Sequence, residues 1–453
     1  MSSPGEDGQT LEEKRRLARQ MLLARKAARE TPRPEIAPDG FSYEIFMQGD
    51  DPDLSEVLRF GEWAERVKTV APNALDIPRA SPAGPVAVFV GEREHPVINL
   101  STYNYLGFAV HPQVVEAAKR ALDVYGLGCG ASPNGSGMIL LHRELERKLV
   151  EFLGLPGYGA SLFSAGYNVN TGTISALIRP GCHVVLDQAA HMSIVEGARL
   201  SGAQVHTFQH NDVDDLVRVL RRCRAETVRT LVCVEGAYSA DGDFGRLADI
   251  VEAARAHRAL VLADEAHSIL LCGPGGRGVA AAQGVLEGID LFVITFSKAL
   301  GGIGGALLAR EEITRYVDWY SRVRMFSCAL DPAVTAGVLK SLELGAGPEG
   351  EARRRRLSEN SDYLRLRLMG KVDFCASQSW ILPVVYGSEK LTLSLCEHLL
   401  SAGLNGSVLQ FPAVPKDRAR LRLFVTSEHT REHLDRAADL LLEAAGKFGF
   451  RLA

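Results

Sequence analysis

Hydrophobic and polar positions follow two different periods between about residues 110 and 330. Short apolar runs rich in β-branched residues predict strands, and longer stretches with apolar residues three or four positions apart predict helices. The predicted strands cover residues 159–163, 182–187, 230–235, 259–263 and 291–295. The predicted helices cover 113–124, 142–153, 214–224 and 246–257. This alternation indicates an α/β domain with a mostly parallel sheet that helices cover on both faces.

The pattern changes on either side of this region. Long helical stretches around 353–368 and 391–402 flank strands, which predicts a smaller α+β domain over 336–453. At the other end, we expect a partly disordered extension over 1–40 with a helix over 11–29, and then an N-terminal lobe over 41–95. Apolar runs at 86–90 and 97–100 predict a hairpin. The large domain is therefore expected to cover 96–335.

Composition narrows the functional classes. The 453 residues carry a net charge of −4, which gives no reason to expect a nucleic-acid partner. The 8 cysteines have no CxxC pair or regular spacing, so neither a disulfide framework nor a metal site is expected. No apolar run reaches the ~18 residues of a membrane helix, and no secretory signal opens the sequence. We therefore expect a cytoplasmic protein without a membrane span.

Candidate chemistry begins with Lys298, just beyond the apolar strand predicted over 291–295. Thr295 and Ser297 precede it, and a glycine-rich turn over 301–305 follows it. Burial at a strand end lowers the pKa of an ammonium group, and the neutral amine can form an imine with an aldehyde cofactor. Hydroxyls and glycines nearby suit a phosphate. The segment predicts a phosphate-bearing aldehyde cofactor; a lysine that merely reaches solvent is the alternative.

Asp264 and His267 follow the strand predicted over 259–263. An acid at the carboxyl end of a parallel strand points into the crevice where open α/β sheets bind ligands. An ionised carboxylate there can hold a protonated pyridine nitrogen, and His267 can bond the phenolic oxygen of the same ring. Helix capping is the alternative role for Asp264. Its combination with Lys298 favours pyridoxal phosphate as the cofactor.

These segments belong to a longer series of short motifs in one order. The motifs lie at 104–107, 142–146, 163–168, 191–199, 210–212, 235–242, 264–268, 293–305, 415–422 and 428–430. Through them the chain, from roughly residue 97 to the C-terminus, resembles the α-oxoamine synthases, which are pyridoxal phosphate enzymes of fold type I. The resemblance implies an aspartate aminotransferase-like large domain and a homodimer that builds each site from two chains.

The resemblance assigns roles around the cofactor ring. Lys298 matches the lysine that carries the cofactor, and Asp264 matches the acid on the ring nitrogen. His191 matches the histidine that stacks flat on the ring. His267 and Ser239 resemble residues near the phenolic oxygen. We therefore expect Lys298, His191, Asp264 and His267 to be the catalytic residues.

A second group is expected at the cofactor phosphate. Gly166, Tyr167 and Asn168 follow a predicted strand and open a helix, whose amide groups and dipole suit an anion. The resemblance implies that this turn binds the phosphate and that the hydroxyl of Thr295 also contacts it. Ser327 resembles a hydroxyl that is offered to the phosphate of the neighbouring subunit.

The substrate side is expected to involve Arg422 and Asn104. Arg422 resembles the arginine that pairs with the carboxylate of the amino acid, although strand geometry alone leaves Arg420 equally possible because it lies two residues earlier. Asn104 resembles an asparagine that lines the substrate pocket. Two positions depart from the family: Pro133 and Gln410 stand where related synthases carry arginine. Both departures concern the entrance of the acyl donor or a carboxylate pocket.

The implied reaction is a decarboxylative condensation of a small α-amino acid with an acyl thioester, which gives an α-aminoketone. Lys298 removes the α-proton as a neutral amine. Glycine, alanine and serine remain open as the amino acid, and the acyl group arrives on coenzyme A or on a carrier protein. An aminotransferase of the same fold and a non-catalytic regulatory subunit of a heterodimer are the alternatives.

Overall fold

The structure is a computed structural model. It describes residues 41–42, 55–90, 96–223 and 228–448. These residues divide into two compact units with the boundary between Trp63 and Ala64. In the first unit, the indole Nε1 of Trp63, on helix α1 (Ser55–Lys68), donates to the carbonyl of Phe41 at 2.9 Å. The predicted extension over 1–40 and its helix lie outside the described residues.

The second unit is built around three sheets. Its strands are β1 (Val86–Val88), β2 (Pro96–Asn99), β3 (Tyr158–Phe163), β4 (His183–Asp187), β5 (Gln204–Phe208), β6 (Thr230–Glu235), β7 (Leu260–Asp264), β8 (Leu291–Thr295), β9 (Gly305–Arg310), β10 (Ile381–Gly387), β11 (Leu404–Asn405), β12 (Ser407–Leu409) and β13 (Ala419–Phe424). The largest sheet has the order β3-β9-β8-β7-β6-β4-β5. All its neighbouring strands pair in parallel except β9, which is antiparallel to both β3 and β8. The predicted α/β class with a mostly parallel sheet is confirmed.

Helices connect these strands and cover both faces of the large sheet. Beyond α1 they are α2 (Pro112–Tyr125), α3 (Leu140–Leu153), α4 (Gly166–Leu177), α5 (Met192–Ser201), α6 (Val213–Cys223), α7 (Leu247–Ala256), α8 (Gly278–Ala282), α9 (Glu311–Tyr320), α10 (Arg322–Met325), α11 (Pro332–Ala346), α12 (Pro348–Leu368), α13 (Glu389–Ala402) and α14 (Arg431–Phe448). Successive strand residues enter opposite cores: on β4, Val184 and Leu186 pack in one core and Val185 in the other. Burial on both faces explains why these strands are continuous apolar runs.

Two smaller sheets complete the second unit. Strands β10, β13 and β12 form an antiparallel sheet in which Arg422 is aligned with Pro383 on one side and Ser407 on the other. The predicted hairpin is confirmed as the antiparallel pair β1–β2, and β11 adds to β2 in parallel. The domain boundaries expected from the sequence stay a prediction. No helix in the described part of the chain is long and apolar enough to cross a membrane.

Candidate active site

Three neighbouring strands of the large sheet end in polar residues. Glu235, Asp264 and Thr295 are the last residues of β6, β7 and β8. Glu235 and Asp264 are register partners across β6 and β7, and Asp264 is aligned with Val293, two residues before Thr295. Because parallel strands end at the same edge, this register brings two carboxylates and a hydroxyl together. The site therefore begins at the carboxyl edge of the sheet.

Lys298 follows β8 at this edge. Lys298 is half-buried, and desolvation lowers its pKa. The carboxyl groups of Asp264 and Glu235 oppose that shift when they are charged, whereas the nearby charge of Arg422 adds to it. The amine is thus more readily neutral than an exposed lysine, as a base or nucleophile requires.

The carboxylate of Asp264 is fixed by hydrogen bonds to both oxygens. Its Oδ2 accepts from Nδ2 of Asn170 at 2.7 Å, and its Oδ1 accepts from the backbone N–H of Ala266 at 3.0 Å. Asn170 lies on α4 and also donates to Oγ of Ser193 at 2.9 Å. These two bonds fix the orientation of the carboxylate, which can therefore face a ring nitrogen without reorganising.

His267 is a buried, neutral imidazole. Its Nδ1 is 2.8 Å from the hydroxyl of Tyr105. Burial lowers the pKa of His267 well below its usual range, and the positive charges of Lys298 and Arg422 lower it further. When the hydroxyl of Tyr105 donates to Nδ1, Nε2 carries the ring proton and can donate to an oxygen in the site.

His191 is held at the start of helix α5 as its N-cap. Its Nδ1 accepts from the backbone N–H of Ser193 and lies 2.8 Å from Oγ of the same residue. Its own backbone N–H donates to Oε1 of Glu235 at 2.7 Å. Desolvation lowers the pKa of His191, as do Lys298 and Arg422, while Asp264 opposes the shift. The ring is therefore fixed at the start of α5, beside Glu235, and its pKa lies below the ordinary value.

Glycine 166 permits a close approach between helix α4 and the end of β8. A Cβ at Gly166 would lie 2.3 Å from Oγ1 of Thr295, so a larger residue would displace this hydroxyl. Oγ1 of Thr295 is also 2.8 Å from Oγ of Ser297. The first turn of α4 has amide N–H groups without helical acceptors, and a phosphate can use them.

The side chains of Tyr167 and Asn168, the other two residues predicted at the phosphate, bond to neighbouring protein side chains. The hydroxyl of Tyr167 donates to Oε2 of Glu196 at 2.5 Å, and Nδ2 of Asn168 donates to Oγ of Ser164 at 3.4 Å. The backbone amide of Asn168 donates to the carbonyl of Ala165 at 3.1 Å, so a contribution of this turn to a phosphate would come from the amides that precede it rather than from these side chains.

Arg422 and Arg420 both project from the same side of β13, as their spacing predicts, but they have different partners. Arg420 is paired with Asp241 through Nη1 and Oδ1 at 2.6 Å. Arg422 donates from Nη1 to the carbonyl of Ser239 at 2.9 Å, and its Nε has no hydrogen-bond partner among the described residues. The charge of Arg422 also acts on Lys298, and the role predicted for Arg422 at a substrate carboxylate stays a prediction.

The remaining predicted residues lie in surrounding structure. Nδ2 of Asn104 donates to the carbonyl of Ala83 at 2.8 Å, and its Oδ1 accepts from the amide of Ala109. The hydroxyl of Ser327 donates to the carbonyl of Val323 at 2.6 Å within its own helical turn. The roles predicted for Asn104 and Ser327 in substrate and partner contacts stay predictions.

The two positions that depart from the family differ in their surroundings. Pro133 opens a short 3₁₀ helix, Pro133–Gly135. Gln410 follows β12 and is buried, yet neither its Oε1 nor its Nε2 has a partner in the described part of the chain. A buried amide without partners is costly, so Gln410 is a place where a ligand atom would be favourable.

Several residues of the site were not predicted from the sequence. Glu235 could have been found, because it ends an apolar strand just as Asp264 does. Burial raises the pKa of Glu235 well above its usual range, and Asp264 raises it further. Asn170 and Tyr105 had no comparable signal, because their partners Asp264 and His267 are distant in sequence.

The sequence profile of the aminotransferase class I and II family matches residues 95–441, which is most of the chain. This class agrees with the mixed sheet and with the lysine at its carboxyl edge. Among curated proteins, an 8-amino-7-oxononanoate synthase from Thermoanaerobacter pseudethanolicus is 35% identical over 81% of this chain and 91% of its own length. Another from Geobacter metallireducens is 38% identical over 77% of this chain and 88% of its own length.

Solved structures agree with the sequence relatives. A serine palmitoyltransferase from Sphingomonas wittichii has a TM-score of 0.82 at 32% identity, over 88% of this chain and 99% of that one. A variant serine palmitoyltransferase from S. paucimobilis, solved with bound pyridoxal phosphate and myriocin, has a TM-score of 0.83 at 32% identity, over 88% and 99%. Within the class I and II aminotransferases, this chain belongs to the α-oxoamine synthase family.

Proposed function

We propose that this protein is a pyridoxal phosphate-dependent acyltransferase that condenses a small α-amino acid with an acyl thioester. A carbon–carbon bond forms between the amino acid and the acyl carbonyl, the thiolate leaves, and the amino acid carboxylate is lost as carbon dioxide. The observation that carries this proposal is the meeting of Lys298, Asp264, His191 and Arg422, in which Asp264 and Arg422 act on the pKa values of Lys298 and His191. The family relatives support the same reaction class.

The residues present fit pyridoxal phosphate. The amine of Lys298 would hold its aldehyde, and the carboxylate of Asp264 would hold its ring nitrogen. Thr295 and the amides that begin at Gly166 would bind its phosphate, where only glycine leaves room. His267 has a ring nitrogen available for its phenolic oxygen. When bound, the cofactor supplies an electron-withdrawing ring that stabilises negative charge on the carbon next to the amine.

The protein's own residues then have separate tasks. Lys298 takes the α-proton of the amino acid on Nζ, which its lowered pKa allows. Arg422 binds the substrate carboxylate through its guanidinium group, whose Nε lacks a hydrogen-bond partner among the described residues, and Nη1 stays with Ser239. His191 is fixed by Ser193 and Glu235, so it can orient the ring without moving.

The proposal also covers the acyl donor, the oligomeric state and the location of the protein. We propose that the protein is a homodimer, because the family builds its site from two chains, and that it is cytoplasmic. Both coenzyme A and a carrier protein fit as the carrier of the acyl group, since Pro133 and Gln410 remove two positive charges that relatives have near the donor entrance or carboxylate pocket. Comparing the two thioesters of one acyl chain as donors distinguishes these carriers.

The test begins with the absorption spectrum of the purified protein during titration with glycine, alanine and serine. A visible band that shifts with one amino acid is expected, and it identifies the nucleophilic substrate. Adding acyl-coenzyme A should then release free thiol and carbon dioxide in equal amounts. Keto-acid-dependent amino transfer without carbon dioxide would contradict the synthase assignment. A colourless protein that stays unresponsive after addition of pyridoxal phosphate would contradict the enzyme assignment.

A further inference from the structure

A cluster of metal-ligand side chains lies away from the candidate active site. His183 is the first residue of β4, His206 is the third residue of β5, and Cys223 is the last residue of α6. One ligand atom from each residue lies within 4.8 Å of the others. Nδ1 of His183 and Nε2 of His206 are 3.0 Å apart, with ring centroids separated by 5.1 Å.

The fold brings these residues together from one face of the sheet. Strands β4 and β5 are parallel neighbours, with His206 aligned to Val185. His183 and Val185 are two residues apart on β4, so their side chains point to the same face of the sheet. Val185 packs in the same core as Cys223, so both histidines face the helix that carries the thiol.

Helix α6 fixes the position of the cysteine. Its inward positions Leu216, Val219, Leu220 and Cys223 follow the helical repeat and are all buried. Cys223 is therefore the last inward residue of α6 and meets the amino half of the two strands. Both histidines are partly exposed, which leaves a route for a small ion from solvent.

The distances are close to those of a metal centre. Tetrahedral zinc has bonds of about 2.0–2.1 Å to histidine and about 2.3 Å to thiolate, so its ligand atoms lie about 3.3–3.7 Å apart. Nδ1 of His183 and Nε2 of His206, now 3.0 Å apart, would need to move apart by a few tenths of an ångström. The sulfur of Cys223, which lies within 4.8 Å of both histidine ligand atoms, would need to move closer to them. Two imidazoles and one thiolate are ligands that favour zinc and similar transition metals over calcium or magnesium.

We propose that His183, His206 and Cys223 form a binding site for a divalent transition-metal ion such as Zn²⁺, with water as the fourth ligand. Binding displaces the thiol proton of Cys223 to solvent and forms the zinc–sulfur bond without any change of oxidation state. The ion would join the edge strand β5 to β4 and to α6. It would lie at the amino half of the strands, whereas the candidate active site lies at their carboxyl edge.

This site was not expected from the sequence, since the cysteines have no zinc-like spacing. The reason is that its three ligands come from three different elements and meet only in the folded chain. A sequence search for paired cysteines or histidines tests local spacing, and it does not detect such a site.

The test uses the full chain with its cofactor, freed of metal by a chelator and dialysed against micromolar Zn²⁺. We expect one zinc per chain by elemental analysis, and X-ray absorption at the zinc edge should report one sulfur and two nitrogen ligands. The variants Cys223→Ser and His206→Ala should weaken zinc binding by about 100-fold or more, because loss of a direct ligand exceeds the 10–100-fold effect of outer-shell changes. Zinc should raise the thermal unfolding temperature of the parent but not of Cys223→Ser.

Cys182→Ser is the matched control. Cys182 immediately precedes His183, but its side chain packs on the opposite core. This variant should keep the parent's zinc affinity, and the metal-free Cys223→Ser variant should keep the parent's turnover. If Cys223→Ser does not fold, His183→Ala replaces it. Unchanged zinc content in the ligand variants, a zinc spectrum without sulfur, or no retained zinc would overturn the proposal.

Discussion

Two regions of the candidate active site differ in how completely their polar atoms are paired. At the carboxyl edge of the large sheet, both oxygens of Asp264 accept hydrogen bonds, and Glu235 accepts from the backbone of His191. On the small antiparallel sheet and its continuation, Nε of Arg422 and both amide atoms of Gln410 have no partner within the described residues. Oδ1 of Asn170 is the exception among these groups of the first region, since it has no partner within the described residues. The carboxylates of the first region are already held by the protein, whereas the second region leaves atoms for a ligand.

The difference indicates that the first region serves catalysis and the second serves substrate recognition. Groups that tune proton equilibria must hold their positions before the substrate arrives, because reorganisation during the reaction would raise the barrier. Groups that recognise a substrate can remain unpaired until the substrate supplies the missing acceptor or donor. Changes in the paired region should therefore reduce turnover, and changes in the unpaired region should reduce substrate affinity.

The largest expected effect in the paired region is that of Lys298→Ala. Loss of both the cofactor attachment and the proton acceptor should lower turnover by about 10³-fold or more. The measurement is thiol release from an acyl-coenzyme A donor at saturating amino acid. A small added amine should restore part of the activity, since it can accept the proton in the vacated space. Turnover close to that of the parent would contradict the assigned role of Lys298.

The two neighbouring acids provide the next comparison. Asp264→Asn removes the carboxylate that Asn170 and the amide of Ala266 hold in place, so we expect turnover to fall by about 10²-fold, within the usual range for acid–base groups. Glu235→Gln should lower turnover by less than about tenfold, because burial raises the pKa of Glu235 and favours its neutral form. The amide oxygen of glutamine can also keep the hydrogen bond from His191. Steady-state kinetics of both variants test this difference, and equal losses would contradict it.

The local sequence pattern predicted the strand ends well for a physical reason. Buried parallel strands are continuous apolar runs, so a polar residue at their end stands out, as Asp264 does. Strands β5 and β9 were missed. The first is an edge strand with the polar residues Gln204 and His206, and the second follows a glycine-rich turn and reverses the direction of the sheet.

The partners of the site residues were harder to predict than the residues themselves. The contact between Asn170 and Asp264 joins residues 94 positions apart, and no local pattern encodes it. Arg420 and Arg422 share one face of a strand, so spacing could not distinguish them. The tertiary structure separates them because Arg420 is paired with Asp241, while Nε of Arg422 is buried without a hydrogen-bond partner in the described part of the chain.

That pair of arginines gives the third prediction. Arg422→Gln should raise KM for the amino acid by about 10–100-fold, which corresponds to a charged hydrogen bond of about 1.5–3 kcal/mol, with a smaller change in kcat. Arg420→Gln is the matched control, since it breaks the ion pair with Asp241 at 2.6 Å and should mainly lower the thermal unfolding temperature. The KM values are measured by amino acid titration at saturating donor. A larger KM effect at Arg420 would reverse the assignment.

The smallest effect on activity is expected at His210, which is paired on both ring nitrogens. Nδ1 is 2.8 Å from Oδ1 of Asp187, and Nε2 is 2.9 Å from Oδ2 of Asp243. Burial lowers the pKa of His210, but hydrogen bonds to both carboxylates outweigh it and raise the pKa to about 10. Since the folded pKa exceeds the usual 6.5, the stabilisation is complete below about pH 6.5 and is lost as pH rises through about 10.

His210→Gln therefore tests whether full pairing indicates a structural role. At neutral pH the variant should unfold at a lower temperature, by a free energy of about 1–3 kcal/mol, while kcat stays near that of the parent. The difference in unfolding temperature should shrink as pH rises past about 10, because the parent then loses the proton that joins the two carboxylates. His191→Gln, at the partly paired histidine of the active site, should show the opposite combination of lower turnover and nearly unchanged stability. A pH-independent loss at His210, or a large fall in kcat, would break the link between complete pairing and structure.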